Sequence, residues 1–222
     1  MEINKAWVAK RWSRAKRIVR QGLVTCRELE SEIACPQESP FLVYVNPTDL
    51  SGYVNLVLAR RIRKTLRHAK IPVELSGNWS KKVTEWDMED WYRVIELKQH
   101  FFEGVPWDEL PSVKKKRQRL DQGYFVSDAR THELLDKRLE SHDKLFEAIR
   151  EDGGLSAAPE HLVQLNISET GALYWGPGGQ HRIAMAVVLG LEAIPLKLGY
   201  VHTRGKWVLE QLLEQNEREL HA

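Results

Sequence analysis

A chain of 222 residues that is 42% apolar, with 33 basic and 31 acidic residues leaving a formal charge of +2, can build one sizeable core and is neither a disordered chain nor a polycation. No apolar stretch approaches the roughly 20 residues that span a bilayer. Met1-Glu2-Ile3-Asn4-Lys5 also puts polar and acidic residues where an export signal needs a basic patch and an apolar run, so a cytoplasmic protein without membrane contact is expected.

In chain order, residues 3–21 predict a helix. Ile3, Ala6, Trp7, Trp12, Ala15, Ile18 and Val19 fall near helical spacing, six Lys and Arg cover the remaining circumference, and Gly22 is placed to end it. Those cations serve either as a solvated face or as a contact for phosphate or an acidic partner. Cys26 and Cys35 sit in polar surroundings without metal-ligand spacing and read as free thiols. Phe41 to Val45 is a short strand, closed by the turn residues Asn46-Pro47-Thr48-Asp49. Leu56 to Ala69 predicts a second basic helix with Leu56, Leu58, Ile62 and Leu66 inward. A helix from Asp90, with Trp91, Ile95, Leu97, Phe101 and Phe102 on its inner side, is stopped by Gly104 and Pro106.

The run Lys114 to Arg119 follows a proline and reads as a solvated helix end or as a nucleic-acid patch. Thr131 to Arg150 is the next helix, its buried stripe Leu134, Leu135, Leu139, Leu145, Phe146 and Ile149. The spread of the eight tryptophans suits packing between helices, with a few left to stack on a ligand ring. Val163 to Ile167 alternates as a strand, Ser168-Glu169-Thr170-Gly171 offers a hairpin turn, and Ala172 to Trp175 returns. Then comes Gly176-Pro177-Gly178-Gly179-Gln180-His181-Arg182, a glycine-dense turn that leaves a strand and opens a helix. Such a turn aims backbone N–H groups and the positive end of the helix dipole at one place, which suits an anion. Ala193 to Leu198 resumes as a strand, and Trp207 to Leu220 is a terminal helix.

The sequence of helix, glycine turn, hairpin, Gly-Gly-x-His-Arg and Leu-Gly-Leu-x-x-Ile-Pro resembles the N-terminal domain of ParB proteins and the sulfiredoxin fold. The matching pieces are Leu145 to Gly153, Val163 to Ile167, Gly178 to Arg182, Ala186, Leu189-Gly190 and Ile194-Pro195. The resemblance implies an α/β protein: a small mixed sheet with packed helices over residues 126–222, preceded by a mainly helical extension over residues 1–125 that shares its core. It also implies a nucleoside triphosphate site of the ATP or CTP type, with Gly176, Gly178, Gly179, Gln180, His181 and Arg182 around the phosphates. Gln180 stands where sulfiredoxins carry a reactive cysteine, so sulfinic acid reduction is not expected. Only one helix follows the last strand, where ParB proteins add a helix-turn-helix, so centromere-type DNA binding is not expected either.

Phosphoryl transfer needs positioning and Mg²⁺ held by a carboxylate and the phosphates. Glu151 and Asp152 end a helix where kinase-like relatives keep a catalytic acid, and His181 can donate to a phosphate oxygen or shuttle a proton. His202 follows the last strand and is expected to approach the same pocket. The expectation is a nucleotide-binding protein, with Mg²⁺, that transfers phosphate to a small molecule or switches conformation. The alternative is a nucleic-acid-binding protein that uses its basic helices without catalysis.

Overall fold

The computed structural model describes residues 26–28, 42–66, 72–126, 129–158 and 160–220; the helix expected over 3–21 and Cys35 lie outside them. The strands are β1 (Cys26–Glu28), β2 (Leu42–Val45), β3 (Leu50–Tyr53), β4 (Val73–Leu75), β5 (Thr84–Glu85), β6 (Val163–Ile167), β7 (Leu173–Trp175) and β8 (Ile194–His202). The helices are α1 (Leu56–Leu66), α2 (Tyr92–Glu103), α3 (Pro111–Asp121), α4 (His132–Asp152), α5 (Gln180–Val188) and α6 (Lys206–Leu220). No helix among the described residues is long and apolar enough to cross a membrane.

All eight strands join one mixed sheet, as an α/β fold requires. The nine-residue β8 is its axis. One edge of β8 pairs in parallel with β6; the other pairs antiparallel with β2 along its first half and parallel with β4 along its last residues. Beyond β6 come β7, β3 and β5, and beyond β4 comes β1. The expected boundary near residue 125 is therefore crossed by the sheet: five of its strands come from the region read as a helical extension. Of these, β2 is the strand expected over Phe41 to Val45; the other four are two to four residues long, too short for an alternating pattern to declare itself.

Side-chain alternation in β7 sorts the two faces of the sheet. Leu173 and Trp175 enter the main core with residues of α2, α5 and α6 and the C-terminal part of α4, whereas Tyr174 points to the opposite face, which α1 covers with Leu58, Ala59 and Ile62. A third, smaller core joins Val113 and Leu120 of α3 to Leu135 and Leu139 of α4. α4 is thus shared: Leu135 and Leu139 belong to the small core, Phe146 and Ile149 to the main one.

The helix ends follow from local chemistry. Thr131 Oγ1 accepts from the N–H of Leu134 at the start of α4, and Gly104 and Gly153 close α2 and α4 in the left-handed region. Pro111 opens α3, where a missing N–H costs nothing. The predicted inner faces needed rotation: Leu56, Ile95, Phe102 and Leu134 are exposed, whereas Val94 of α2 is fully buried.

The glycine turn after β7 is fixed by one buried carboxamide. Asn166 lies where the β6–β8 register slips between Leu165 and Ile167, so its side chain does the pairing there. Its Nδ2 donates to the carbonyl of Gly176 (2.9 Å), and its Oδ1 accepts from Gln164 Nε2 (2.6 Å) and the N–H of Tyr200 (3.0 Å). Asn166→Leu strands these buried groups, at about 1–3 kcal/mol for each unpaired one. A loss of about 3 kcal/mol in urea unfolding is expected; a loss below about 1 kcal/mol would show that the network has little weight.

Candidate functional site

The glycine turn is shaped first by packing. Gly176 and Gly179 both have positive φ, 103° and 74°; a Cβ on Gly179 would lie 2.3 Å from Val163, and one on Gly176 would lie 2.7 Å from both the Tyr53 ring and the Val54 carbonyl. Neither position admits another residue. Gly178 is exposed with open space around it. Gly179 caps α5, and no side chain bonds to the helix's first turn.

From this start the two expected ligand residues diverge, because neighbouring helix positions are rotated by about 100°. Arg182 turns outward and its Nη1 donates to the carbonyl of His161 (2.6 Å). His181 turns inward, where its ring stacks on that of His142 with centroids 3.8 Å apart. Arg182 therefore does not share a ligand with His181, and Gln180 begins the helix without joining the cluster.

His202 is remote as well. Trp175, at the end of β7, is level with Leu165 and hence with Leu198. His202 lies four residues further along β8, about 13 Å at strand spacing, while the glycine turn departs in the opposite direction. Both its nitrogens are occupied, Nε2 by the carbonyl of Gly77 (2.9 Å) and Nδ1 by the N–H of Arg204 (3.1 Å). Glu151 and Asp152 are exposed at the end of α4, nine and ten residues past His142. That is about 14–15 Å of helix axis, so neither carboxylate converges on His181.

What surrounds His181 is a cleft at the seam between the main core and the α3–α4 core. Its polar lining is Arg93 and Glu96 from α2, Ser112 and Lys116 from α3, His142 from α4 and His181 from α5, against apolar walls that include Trp107 and Leu139. The enclosed room is about 20 Å³, opening into a total of about 300 Å³ that includes solvent. One water needs about 10–15 Å³. The inner room is of water size and does not take a nucleoside.

The electrostatics of the cleft are one-sided. Arg93 Nη1 approaches His181 Nε2 at 3.3 Å, and because a guanidinium can only donate, Nε2 is the acceptor and the ring proton sits on Nδ1. Arg93 rests on the faces of Trp91 and Tyr92, 5.9 and 5.1 Å from the ring centres. Glu96, the only acid lining the cleft, faces the start of α3: it accepts from the Ser112 N–H (2.7 Å) and, in a very short bond, from the Ser112 hydroxyl. It therefore caps a helix that has no side-chain cap of its own.

Burial, together with Arg93 and Arg138, holds the Lys116 amine below its ordinary value. Burial is also the main reason that His142 is lowered to about 4 and His181 to about 2, with Arg138, Lys116 and Arg93 adding repulsion. His142 is 9% exposed, and its Nδ1 is buried without a hydrogen-bond partner. The arrangement is a positive, partly desolvated recess beside the positive end of α5, suited to a small anion.

Arg93, Glu96, Ser112 and His142 did not emerge from the sequence, and Lys116 was only one member of a basic run. One signal was present: buried α4 residues recur as Leu135, Leu139, His142, Phe146 and Ile149, a four-three alternation with a histidine at a core position. No protein-family model matches the chain, and no curated protein or solved structure does so either.

The histidines make stability pH-dependent in a defined direction. Their folded pKa values lie below the unfolded 6.5, so stability is complete above about pH 6.5 and is lost as the unfolded chain takes up protons below it. For His142 the gap from 6.5 to about 4 is worth about 3 kcal/mol at 1.36 kcal/mol per pH unit. Urea unfolding at pH 7, 5 and 4 should show a flatter profile for His142→Phe, which keeps a ring in the stack. Parallel profiles for the two proteins would contradict it.

Proposed function

We propose that the protein binds the terminal phosphate of a nucleotide, with ATP and CTP as the first probes, and that it is kin to the ParB/sulfiredoxin-like proteins. The observation that carries the reading is the His142–His181 stack: two imidazoles, one with a buried nitrogen that lacks a hydrogen-bond partner, lying beside Arg93 and Lys116, with Glu96 of the cleft lining already bound to Ser112. A phosphate oxygen supplies what this cluster lacks, since charge-assisted bonds to Arg and Lys are about twice as strong as neutral ones. In this reading the phosphate seat is beside the first turn of α5, on the His181 side, and the base and sugar remain outside the cleft.

Mg²⁺ does not fit the residues of the cleft. Among the described residues its one carboxylate, Glu96, is taken up by the N–H and hydroxyl of Ser112. The reading is accordingly one of binding, and no phosphotransfer step is assigned. The second reading, contact with nucleic acid through basic helices, is favoured by Lys114, Lys115 and Arg119, which are exposed on α3.

Thermal shift and calorimetry with inorganic phosphate, ATP and CTP test the proposal. A ligand at 100 times its dissociation constant adds about 2.7 kcal/mol of stability. Lys116→Gln should weaken binding at least about tenfold, equivalent to 1.4 kcal/mol, and Arg182→Ala should leave it unchanged. The reverse pattern would return the phosphate to the outer side of the glycine turn and overturn the reading.

A further inference from the structure

The same site carries a more specific reading, one that rests on the proposal above. We infer that the phosphate it takes is the terminal phosphate monoester of a single-stranded nucleic acid, whose first bases lie on Tyr124 and Phe125.

The path from the cleft to these rings is short and positively charged. Relative to Lys116, Ser112 is rotated by about 40° around α3 and Arg119 by about 60° in the same sense, so all three share one side of the helix. α3 ends at Asp121, about 8 Å along the axis from Lys116. There the chain closes in paired bonds around Gly123, which has φ 79°: Tyr124 N–H donates to the carbonyl of Arg119 (2.9 Å) and Gly123 N–H to that of Leu120 (2.8 Å). This closure sets the Tyr124 ring by the guanidinium of Arg119, at 5.7 Å. The next ring repeats the arrangement, since Val126 and Ala129 exchange both backbone bonds and thereby bring Arg130 over Phe125 at 5.0 Å.

Tyr124 and Phe125 are 57% and 65% exposed, an unusual position for two adjacent aromatics. Each carries a guanidinium over its ring that can meet the backbone while a base packs on the exposed part, and base stacking on such rings is tolerant of sequence. Nearby acids do not cancel the charge: Asp108 and Asp136 are held by Arg117, and Asp121 by His132. Arg119 and Arg130 remain exposed along the route. The recess narrows inward, to about 20 Å³ out of about 300 Å³ that includes solvent, so a terminal phosphate, which projects beyond the chain end, reaches toward Lys116 where a phosphate held between two sugars does not. Duplex DNA, with its bases stacked on one another, leaves the two rings without partners.

Fluorescence anisotropy with the full chain tests this. The probes are single-stranded oligonucleotides of about twelve nucleotides, identical except for a 5′-phosphate, a 3′-phosphate or two hydroxyl ends, together with the corresponding duplex and inorganic phosphate as competitor. One phosphorylated strand should bind at least about tenfold more tightly than the hydroxyl-ended strand, and Lys116→Gln should remove that advantage. Tyr124→Ala with Phe125→Ala should weaken the phosphorylated strand about tenfold or more, and should affect inorganic phosphate less. If inorganic phosphate binds but the three strands are indistinguishable, or the duplex binds as tightly as the single strand, this inference fails and the phosphate reading stands. If neither phosphate nor any strand binds, both fail.

Discussion

Two imidazole rings stacked face to face among three cations impose the condition on which this site depends: both must be neutral. Like charges about 4 Å apart repel by about 4 kcal/mol at an effective dielectric near 20, whereas an aromatic pair gains only about 0.5–1.5 kcal/mol from stacking. Two charged rings would therefore separate at the His142–His181 distance of 3.8 Å. Arg93 enforces the same state from the side, because its donation leaves His181 Nε2 no room for a proton. The positive character of the cleft thus resides in Arg93, Lys116 and Arg138, and the histidines serve as a polar, uncharged floor.

The acid that lines the cleft, Glu96, is used elsewhere. Glu96 satisfies the backbone N–H and hydroxyl of Ser112 at the exposed start of α3, and in doing so ties α3 to α2. The alternative, pairing Glu96 with Arg93 or Lys116, would leave that helix end without a side-chain cap. The sheet contributes the second condition. Asn166 anchors the carbonyl of Gly176, and Val163 closes against Gly179, so α5 begins at a set height and presents His181, rather than Arg182, to α4.

The parts of this molecule that the sequence made legible are those fixed by neighbours along the chain. Glycine stops at Gly104 and Gly153, the hairpin before Trp175 and the turn from β7 into α5 all follow from short-range chemistry, and each is found. The place of His181 was also legible, in the first turn of the helix that follows the glycines. What could not be read was the direction of side chains relative to distant elements. His181 and Arg182 look equivalent in the sequence and are separated by one helical rotation; His202 looks close to the turn until the sense of β7 against β8 is known. Lys116 resembled its solvated neighbours Lys114 and Lys115, and only the packing of α3 against α2 and α4 distinguishes it.

The neutrality of the stacked pair is open to direct observation by nitrogen-15 NMR of the two imidazoles, followed from pH 8 to pH 4.5 without added ligand. The account predicts that His181 remains uncharged across the whole range with its proton on Nδ1, and that His142 begins to change only at the acid end. Ordinary titration of both rings near pH 6.5, or a proton on Nε2 of His181, would contradict it, for then Arg93 could not donate to that nitrogen and the cleft would not have the charge distribution on which the phosphate site rests.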